Sequence, residues 1–129
     1  MIRNRAQVQD YLLKKLKDSS ASVLEVYLVS EDGLVIVSTS SDVASRDRVA
    51  ALASSVFMPA KRAARELPFE ELNFIVVSGS KQNLYLKGIG EGQLLAVLVK
   101  SGADWQKIQQ QTISTSQDLR YIAREKDET

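Results

Sequence analysis

Apolar residues in the first part of the chain recur first at helical spacing and then in continuous runs. The 3.6-residue period at the start predicts an amphipathic helix over about residues 3 to 18. From Val23 to Val29 almost every residue is apolar and many are β-branched, which predicts a central strand covered on both faces. Glu31-Asp32-Gly33 predicts a hairpin turn, because glycine accepts the positive φ that closes it. The second strand is predicted over Leu34 to Ser38.

The longest helical pattern lies in the middle of the chain. We predict that this helix begins near Ser45, which acts as its N-cap, and ends before Pro68. Pro59 removes an amide donor inside the helix, which predicts a bend there or, alternatively, two shorter helices. The apolar stripe is wider than contact with one sheet requires. Its members are Val49, Ala50, Leu52, Ala53, Val56, Phe57, Ala60, Ala63, Ala64 and Leu67.

Three more strands and a last helix complete the pattern. The strands are predicted over Leu72 to Ser78, Asn83 to Ile89 and Gln93 to Val99, and their short connections favour antiparallel hairpins. A helix carrying Trp105 follows, and residues 124–129 form a charged tail. The order α-β-β-α-β-β-β-α predicts an α/β (α+β) fold. In it, a five-stranded antiparallel sheet lies between one long helix and two terminal helices. We expect a single domain over 1–129, with its core at about residues 3–123.

Composition excludes several classes of function. The 129 residues include 17 Lys and Arg against 16 Asp and Glu, so a net charge of +1 gives no strong attraction for nucleic acid or anionic lipid. Cysteine and histidine are absent, which removes thiol nucleophiles, Ser-His triads and the usual zinc ligands. The longest apolar runs are strand-sized, far below the ~20 residues of a membrane span. We therefore expect a cytoplasmic, non-enzymatic protein with no catalytic residues, cofactor or metal.

Two features that suggest ligand chemistry have a simpler explanation. Gly88-Ile89-Gly90-Glu91-Gly92 superficially resembles a phosphate-binding loop, but such a loop precedes a helix and here a strand follows, so we predict a hairpin turn. Trp105 falls on the apolar stripe of the last helix, which favours packing against the sheet over ligand stacking. The paired acids Glu31-Asp32 and Glu70-Glu71 are interpreted as solvated turn residues.

The order and spacing of several short segments resemble one known family. These segments are Leu28–Leu34, Ser38-Thr39-Ser40, Ala50–Ala53 and Leu84–Val97. Together they resemble the roadblock (dynein light chain) domain, in particular its small bacterial branch associated with Ras-like GTPases. The likeness covers roughly residues 3 to 123. The chain departs from the family pattern at Pro59 and in lacking a glycine before the first strand.

The resemblance implies a homodimer or heterodimer. The strand order would be 2-1-5-4-3, third strands would pair edge to edge into a ten-stranded sheet, and the long helices would lie antiparallel. The sequence supports this independently, because an edge strand that is apolar on both faces invites pairing; the alternative is that these residues are only core. The residues predicted for the dimer interface are Val49, Ala53, Val56, Phe57, Ala60, Ala64, Phe74, Ile75, Val76 and Val77.

A candidate partner-binding row lies on the side of the long helix opposite the apolar stripe. Exposed methionine beside arginine suits an adaptable protein-binding surface. The alternative is a solvated face with a methionine exposed by chance. The resemblance places a Ras-like small GTPase on the face formed by the two long helices, which agrees with this row. The residues predicted to bind the partner are Ala51, Ser55, Met58, Arg62 and Arg65.

The sequence and the resemblance together leave three candidate functions. The favoured one is a non-catalytic dimeric regulatory module that binds a Ras-like small GTPase and modulates its nucleotide cycle or localisation. The alternative is a structural dimerisation adaptor that does not read nucleotide state. A third class is a small-ligand sensor with its ligand between sheet and helix.

Overall fold

The helices and strands follow the predicted order. A computed structural model describes residues 4–67 and 71–125. The elements are α1 (Arg5–Asp18), β1 (Val23–Ser30), β2 (Val35–Ser38), α2 (Val43–Glu66), β3 (Ile75–Ser78), β4 (Gln82–Gly90), β5 (Gln93–Lys100) and α3 (Trp105–Arg124). The predicted α/β class and element order are confirmed. Predictions about residues 1–3, 68–70 and 126–129, including most of the charged tail, lie outside the described residues.

The five strands form one antiparallel sheet in the order β2-β1-β5-β4-β3, as predicted. The long strands β1 and β5 pair along their length at the centre. β3 is short and pairs only with Asn83 to Leu86 of β4. The outer edge of β4 from Lys87 to Gly90 therefore has no strand neighbour among the described residues.

The sheet is covered by different helices on its two faces. On one face, α1 and α3 bury a large core that includes Leu13, Ile108 and Leu119. On the other face, α2 packs Ala53 and Phe57 against the sheet. A Cβ at Gly88 would lie 2.9 Å from the Phe57 ring, so glycine is required there for the helix to approach the strand closely.

The predicted start of α2 at Ser45 is wrong. Asp42 is the N-cap, and its carboxylate accepts a hydrogen bond of 3.3 Å from the Ser45 amide. An acidic cap also interacts favourably with the positive end of the helix dipole. The alternative of two shorter helices is wrong as well, because α2 runs unbroken across Pro59. Pro59 is exposed, so water can satisfy the carbonyl that its missing amide leaves free.

The predicted start of the third strand at Leu72 is also wrong. β3 begins at Ile75, because the apolar residues before it pack against the two cores instead of pairing with β4. Leu72 contacts the core beneath α2, and the Phe74 ring lies edge-on to Trp105 at 5.4 Å between ring centroids. Trp105 also contacts Tyr85 at 4.2 Å, which confirms its predicted packing against the sheet.

The glycine-rich segment at the end of β4 leads through a hairpin turn into β5, as predicted. β4 and β5 pair on both sides of it, and Gly90, Glu91 and Gly92 all have positive φ. This conformation suits the two glycines and closes the turn directly onto β5.

Candidate functional site

The predicted partner-binding row forms one exposed line on the outer side of α2. Ala51, Ser55, Met58 and Arg62 are all exposed or half-exposed, and the Met58 side chain retains 39% of its accessible surface. Their spacing of four, three and four residues keeps them on one side of the helix. The row therefore offers a flexible apolar side chain next to a guanidinium, with small residues on the side toward the helix N-terminus.

The basic residues beside this row have different roles. Lys61 Nζ lies 2.9 and 3.1 Å from the two carboxylate oxygens of Glu31, in the turn between β1 and β2. Ser54 Oγ donates a hydrogen bond to the backbone carbonyl of Glu31. Together these contacts hold the β1–β2 turn against α2. Glu31 is therefore a packing residue, and its interpretation as a solvated turn acid is wrong.

Arg62 and Arg65 remain available to a partner. Both are exposed, and neither has a hydrogen bond or ion pair within residues 4–67 and 71–125. An unpaired guanidinium presents several donors in a fixed plane, which suits recognition of carboxylates and phosphates.

An apolar flank lies next to the partner row. Leu52 is 55% exposed and Val56 is 36% exposed, and this apolar flank continues through Pro59 and Ala63. The width of the stripe predicts that part of it stays free of the sheet, and Val56 belongs to the predicted dimer interface, but Leu52, Pro59 and Ala63 were not assigned to it. The signal that could have found it is the four-three-four spacing of these residues, which is typical of helices that pack against another helix.

Some residues predicted for the dimer interface are covered by their own subunit. Ala53 is fully buried against the sheet, and Phe57 and Ala64 each retain only 4% of their accessible surface. They leave almost nothing for a second subunit to contact. Phe74 packs edge-on against Trp105 within the same chain. Of the other predicted interface residues, Val56, Val76 and Val77 are exposed, and Val49, Ala60 and Ile75 are half-buried.

The face of the sheet under α2 is only partly covered. α2 lies mostly over β1 and β2, and Phe57 also reaches Gly88 of β4. Lys61 reaches the β1–β2 turn. Leu52 and Val56 lie on the opposite flank of α2, away from Lys61. Val77 and Val76, on the two faces of β3, are 45% and 47% exposed, whereas Ile75 is half-buried. An uncovered strip thus lies between the apolar flank of α2 and the open edge strand β3.

The described residues contain neither a cluster of metal-ligating side chains nor a membrane-spanning helix. Among residues 4–67 and 71–125, no three acidic side chains lie close enough together to hold a metal ion. No helix in these ranges is long and apolar enough to cross a membrane.

Comparison with known proteins agrees with this geometry. The Roadblock/LC7 domain family model matches residues 9–99. A Roadblock/LC7 domain from Streptomyces avermitilis is 26% identical, with a TM-score of 0.81 over 87% of this chain and 94% of that one. The gliding protein MglB from Thermus thermophilus is 18% identical, with a TM-score of 0.83 over 98% and 96% of the two chains. MglB from Myxococcus xanthus is also 18% identical, with a TM-score of 0.80 over 89% and 94%. A search of curated protein sequences returns no match. Because the family model covers most of the chain, this protein belongs to the Roadblock/LC7 family.

Proposed function

We propose that this protein is a non-catalytic, dimeric regulatory module of the cytoplasm that binds a Ras-like small GTPase. The observation that carries the proposal is the arrangement of α2. An apolar flank that suits a second subunit lies directly beside an exposed row of Met58 and Arg62 that suits a partner protein. The bacterial roadblock branch that the chain resembles is associated with Ras-like GTPases, which supports the identity of the partner.

Dimerisation is supported by the uncovered strip of the sheet. A second α2, placed antiparallel to the first, would cover Leu52 and Val56 with the same residues of its own flank. Antiparallel pairing of β3 with the partner's β3 would satisfy the free backbone groups of the sheet edge and cover Val76 and Val77. Each contact joins a surface to its own copy, as a twofold axis requires.

The dimer would bring two partner-binding rows side by side. Ala51, Ser55, Met58 and Arg62 each come one residue before a member of the apolar flank, so pairing of the flanks places the two rows next to each other. The resulting surface contains two methionines that can adapt their shape and two arginines that can bind carboxylates. Such a surface would regulate a GTPase by stabilising one arrangement of its switch loops, which shifts an existing equilibrium.

The test is a binding measurement against the small GTPases of the source organism, loaded with GDP or with a non-hydrolysable GTP analogue. We expect one GTPase to bind with an affinity that differs at least about tenfold between the two nucleotide states, which corresponds to about 1.4 kcal/mol. Equal affinity in both states would instead favour the structural adaptor. Absence of binding to any GTPase would contradict the proposal.

A double variant locates the surface. Met58→Asp with Arg62→Glu should abolish GTPase binding and leave the melting temperature and the dimer unchanged, because both side chains are exposed. The matched control is Lys107→Glu with Tyr121→Asp, two exposed residues of α3 on the other side of the sheet. If the control variant loses binding and the α2 variant retains it, the partner uses the terminal helices and the proposed surface is wrong.

A further inference from the structure

A cavity of about 650 Å³ lies at the end of the sheet where β4 has no strand neighbour among the described residues. Its walls are the C-terminal half of α2, residues 71–74, the last part of β4 and the middle of α3. The volume lies within the range of ligand-binding pockets, roughly 300–1,000 Å³. The cavity is separate from the proposed partner row except for Arg65, which lies at its rim.

The lining of the cavity has an excess of positive charge. Among the described residues, four basic side chains line it: Lys61, Arg65, Lys87 and Arg120. Two acidic side chains of the described residues, Glu31 and Glu71, also line it. Because Lys61 and Glu31 form an ion pair with each other, three cations of the described lining face one remaining carboxylate of that lining, Glu71.

Lys87 and Arg120 are held in place by neutral groups. Lys87 Nζ donates to the Asn73 carbonyl at 3.2 Å and lies 5.1 Å from the centre of the Phe74 ring. Arg120 Nε donates to the Ile89 carbonyl. Neither cation forms an ion pair with a carboxylate of the described chain. Lys87 and Arg120 are therefore held in position, and neither charge is neutralised by an ion pair within the described residues.

Holding two cations together in this cavity is unfavourable. Burial lowers the pKa of Lys87, and the nearby Arg120 guanidinium lowers it further, against a smaller opposing effect of Glu71. An anion bound between the two cations would remove this repulsion. Side chains that are costly in the free protein and favourable in a complex are typical of binding sites.

We propose that this cavity binds a small anionic molecule through a phosphate or carboxylate group contacted by Lys87 and Arg120. The guanidinium of Arg120 has η nitrogens to donate to two oxygens of such a group, and Lys87 adds a point charge. Gln109 and Gln117 also line the cavity. Their side-chain amides supply hydrogen-bonding groups for the remainder of the ligand. This site requires no GTPase and is independent of the function proposed above.

An NMR titration of the full chain tests the proposal. Inorganic pyrophosphate and citrate are added in separate experiments at constant ionic strength, so that phosphate and carboxylate chemistry are distinguished. We expect saturable shifts, centred on the amides of Gly88 and Gly90 in the cavity wall, for at least one of the two ions. The proposal would be overturned if neither ion reached saturation by about 10 mM, or if the shifts were spread over the exposed lysines.

The Lys87→Met variant separates a binding role from a structural one. Because Lys87 is partly buried beside another cation, its removal should leave the melting temperature of the free protein unchanged or higher. The affinity for the anion should fall at least about tenfold, the effect of losing one charge-assisted hydrogen bond.

Arg65→Gln, at the rim, should weaken binding less. Arg48→Gln, exposed on α2 outside the cavity, is the matched control and should bind as the wild type does. Unchanged binding by Lys87→Met would show that the anion binds elsewhere.

Discussion

The buried phenol of Tyr27 couples the stability of this protein to alkaline pH. Tyr27 retains 1% of its accessible surface and lies in the core beneath α2. Burial raises the pKa of Tyr27, and the negative charges of Glu25 and Asp42 raise it further. In the unfolded chain the same phenol ionises near its ordinary pKa of about 10. Above that pH the unfolded state therefore binds fewer protons than the folded state, and stability falls as pH rises.

Tyr27→Phe should reduce this alkaline loss of stability. Urea unfolding of the wild type and the variant at pH 7 and at several values between about 9 and 11 measures the effect. We expect the stability of the variant relative to the wild type to increase as the pH passes about 10, since only the wild type can ionise a phenol at this position on unfolding. Tyr121→Phe removes a phenol that is exposed on α3 and is the matched control. A parallel pH dependence of wild type and Tyr27→Phe would contradict this explanation.

At the scale of the element, α2 has a different role on each of its four sides. One side packs Ala53 and Phe57 against the sheet, and the next holds the β1–β2 turn through Lys61. The opposite flank presents Leu52 and Val56, and the outer side presents the partner row. Pro59 belongs to the apolar flank and is exposed there, so its missing amide is tolerated.

Pro59→Ala should stabilise the protein because it restores the amide that can donate to the Ser55 carbonyl. Proline costs about 3 kcal/mol relative to alanine in a helix interior, and part of that cost is already relieved by hydration at this exposed position. We therefore expect the free energy of unfolding to rise by about 1–3 kcal/mol, measured as a higher urea midpoint with an unchanged slope. Pro59→Gly is the control, and its gain should be about 1 kcal/mol smaller. A loss of stability in Pro59→Ala would show that the proline is required for the shape of α2.

The alternation of apolar and polar residues predicts the elements well and their ends poorly. Every helix and strand of the structure corresponds to a predicted one, because periods of 2 and 3.6 residues extend over whole elements. The ends depend on competition between neighbours of similar propensity. Asp42 and Ser45 are both good N-caps, and their order of preference depends on the loop before them, in which Ser40 Oγ accepts from the Asp42 amide at 3.3 Å. The segment before Ile75 has the composition of a strand, but Phe74 finds a better contact on Trp105.

The candidate partner-binding surface could likewise be predicted from the sequence only in part. The outer row of α2 could be predicted from the helix period alone, since residues opposite a buried stripe face solvent. The period could not tell which part of a wide stripe the sheet would cover, because this depends on where α2 lies across the strands. For the same reason Lys61 could not be assigned to Glu31, which is 30 residues away in the chain and meets it only through the position of the β1–β2 turn.

At the scale of the whole molecule, the two faces of the sheet are unequally covered. α1 and α3 together cover one face, whereas α2 alone covers the β1–β2 side of the other. Apolar residues on the flank of α2 and on β3 remain exposed next to the uncovered strip of the sheet. Exposed apolar side chains that adjoin an open sheet edge favour association with a second chain.

Charged side chains placed beside this uncovered strip should therefore separate the two subunits of the proposed dimer. In Val56→Glu, a carboxylate on the apolar flank of α2 would face its own copy across the twofold axis. In Val77→Lys, the charge would be buried beneath the second helix. We expect each variant to be monomeric or aggregated at about 10 μM by size-exclusion chromatography with light scattering, while the wild type is a dimer. Leu34→Glu is the matched control, because Leu34 is 66% exposed beside β2 at the other edge of the sheet, and it should remain dimeric.

A folded monomeric variant should also bind the GTPase more weakly, since it retains only one of the two partner rows. A monomeric wild type at this concentration, or a dimer that survives both Val56→Glu and Val77→Lys, would show that the subunits do not associate through α2 and β3.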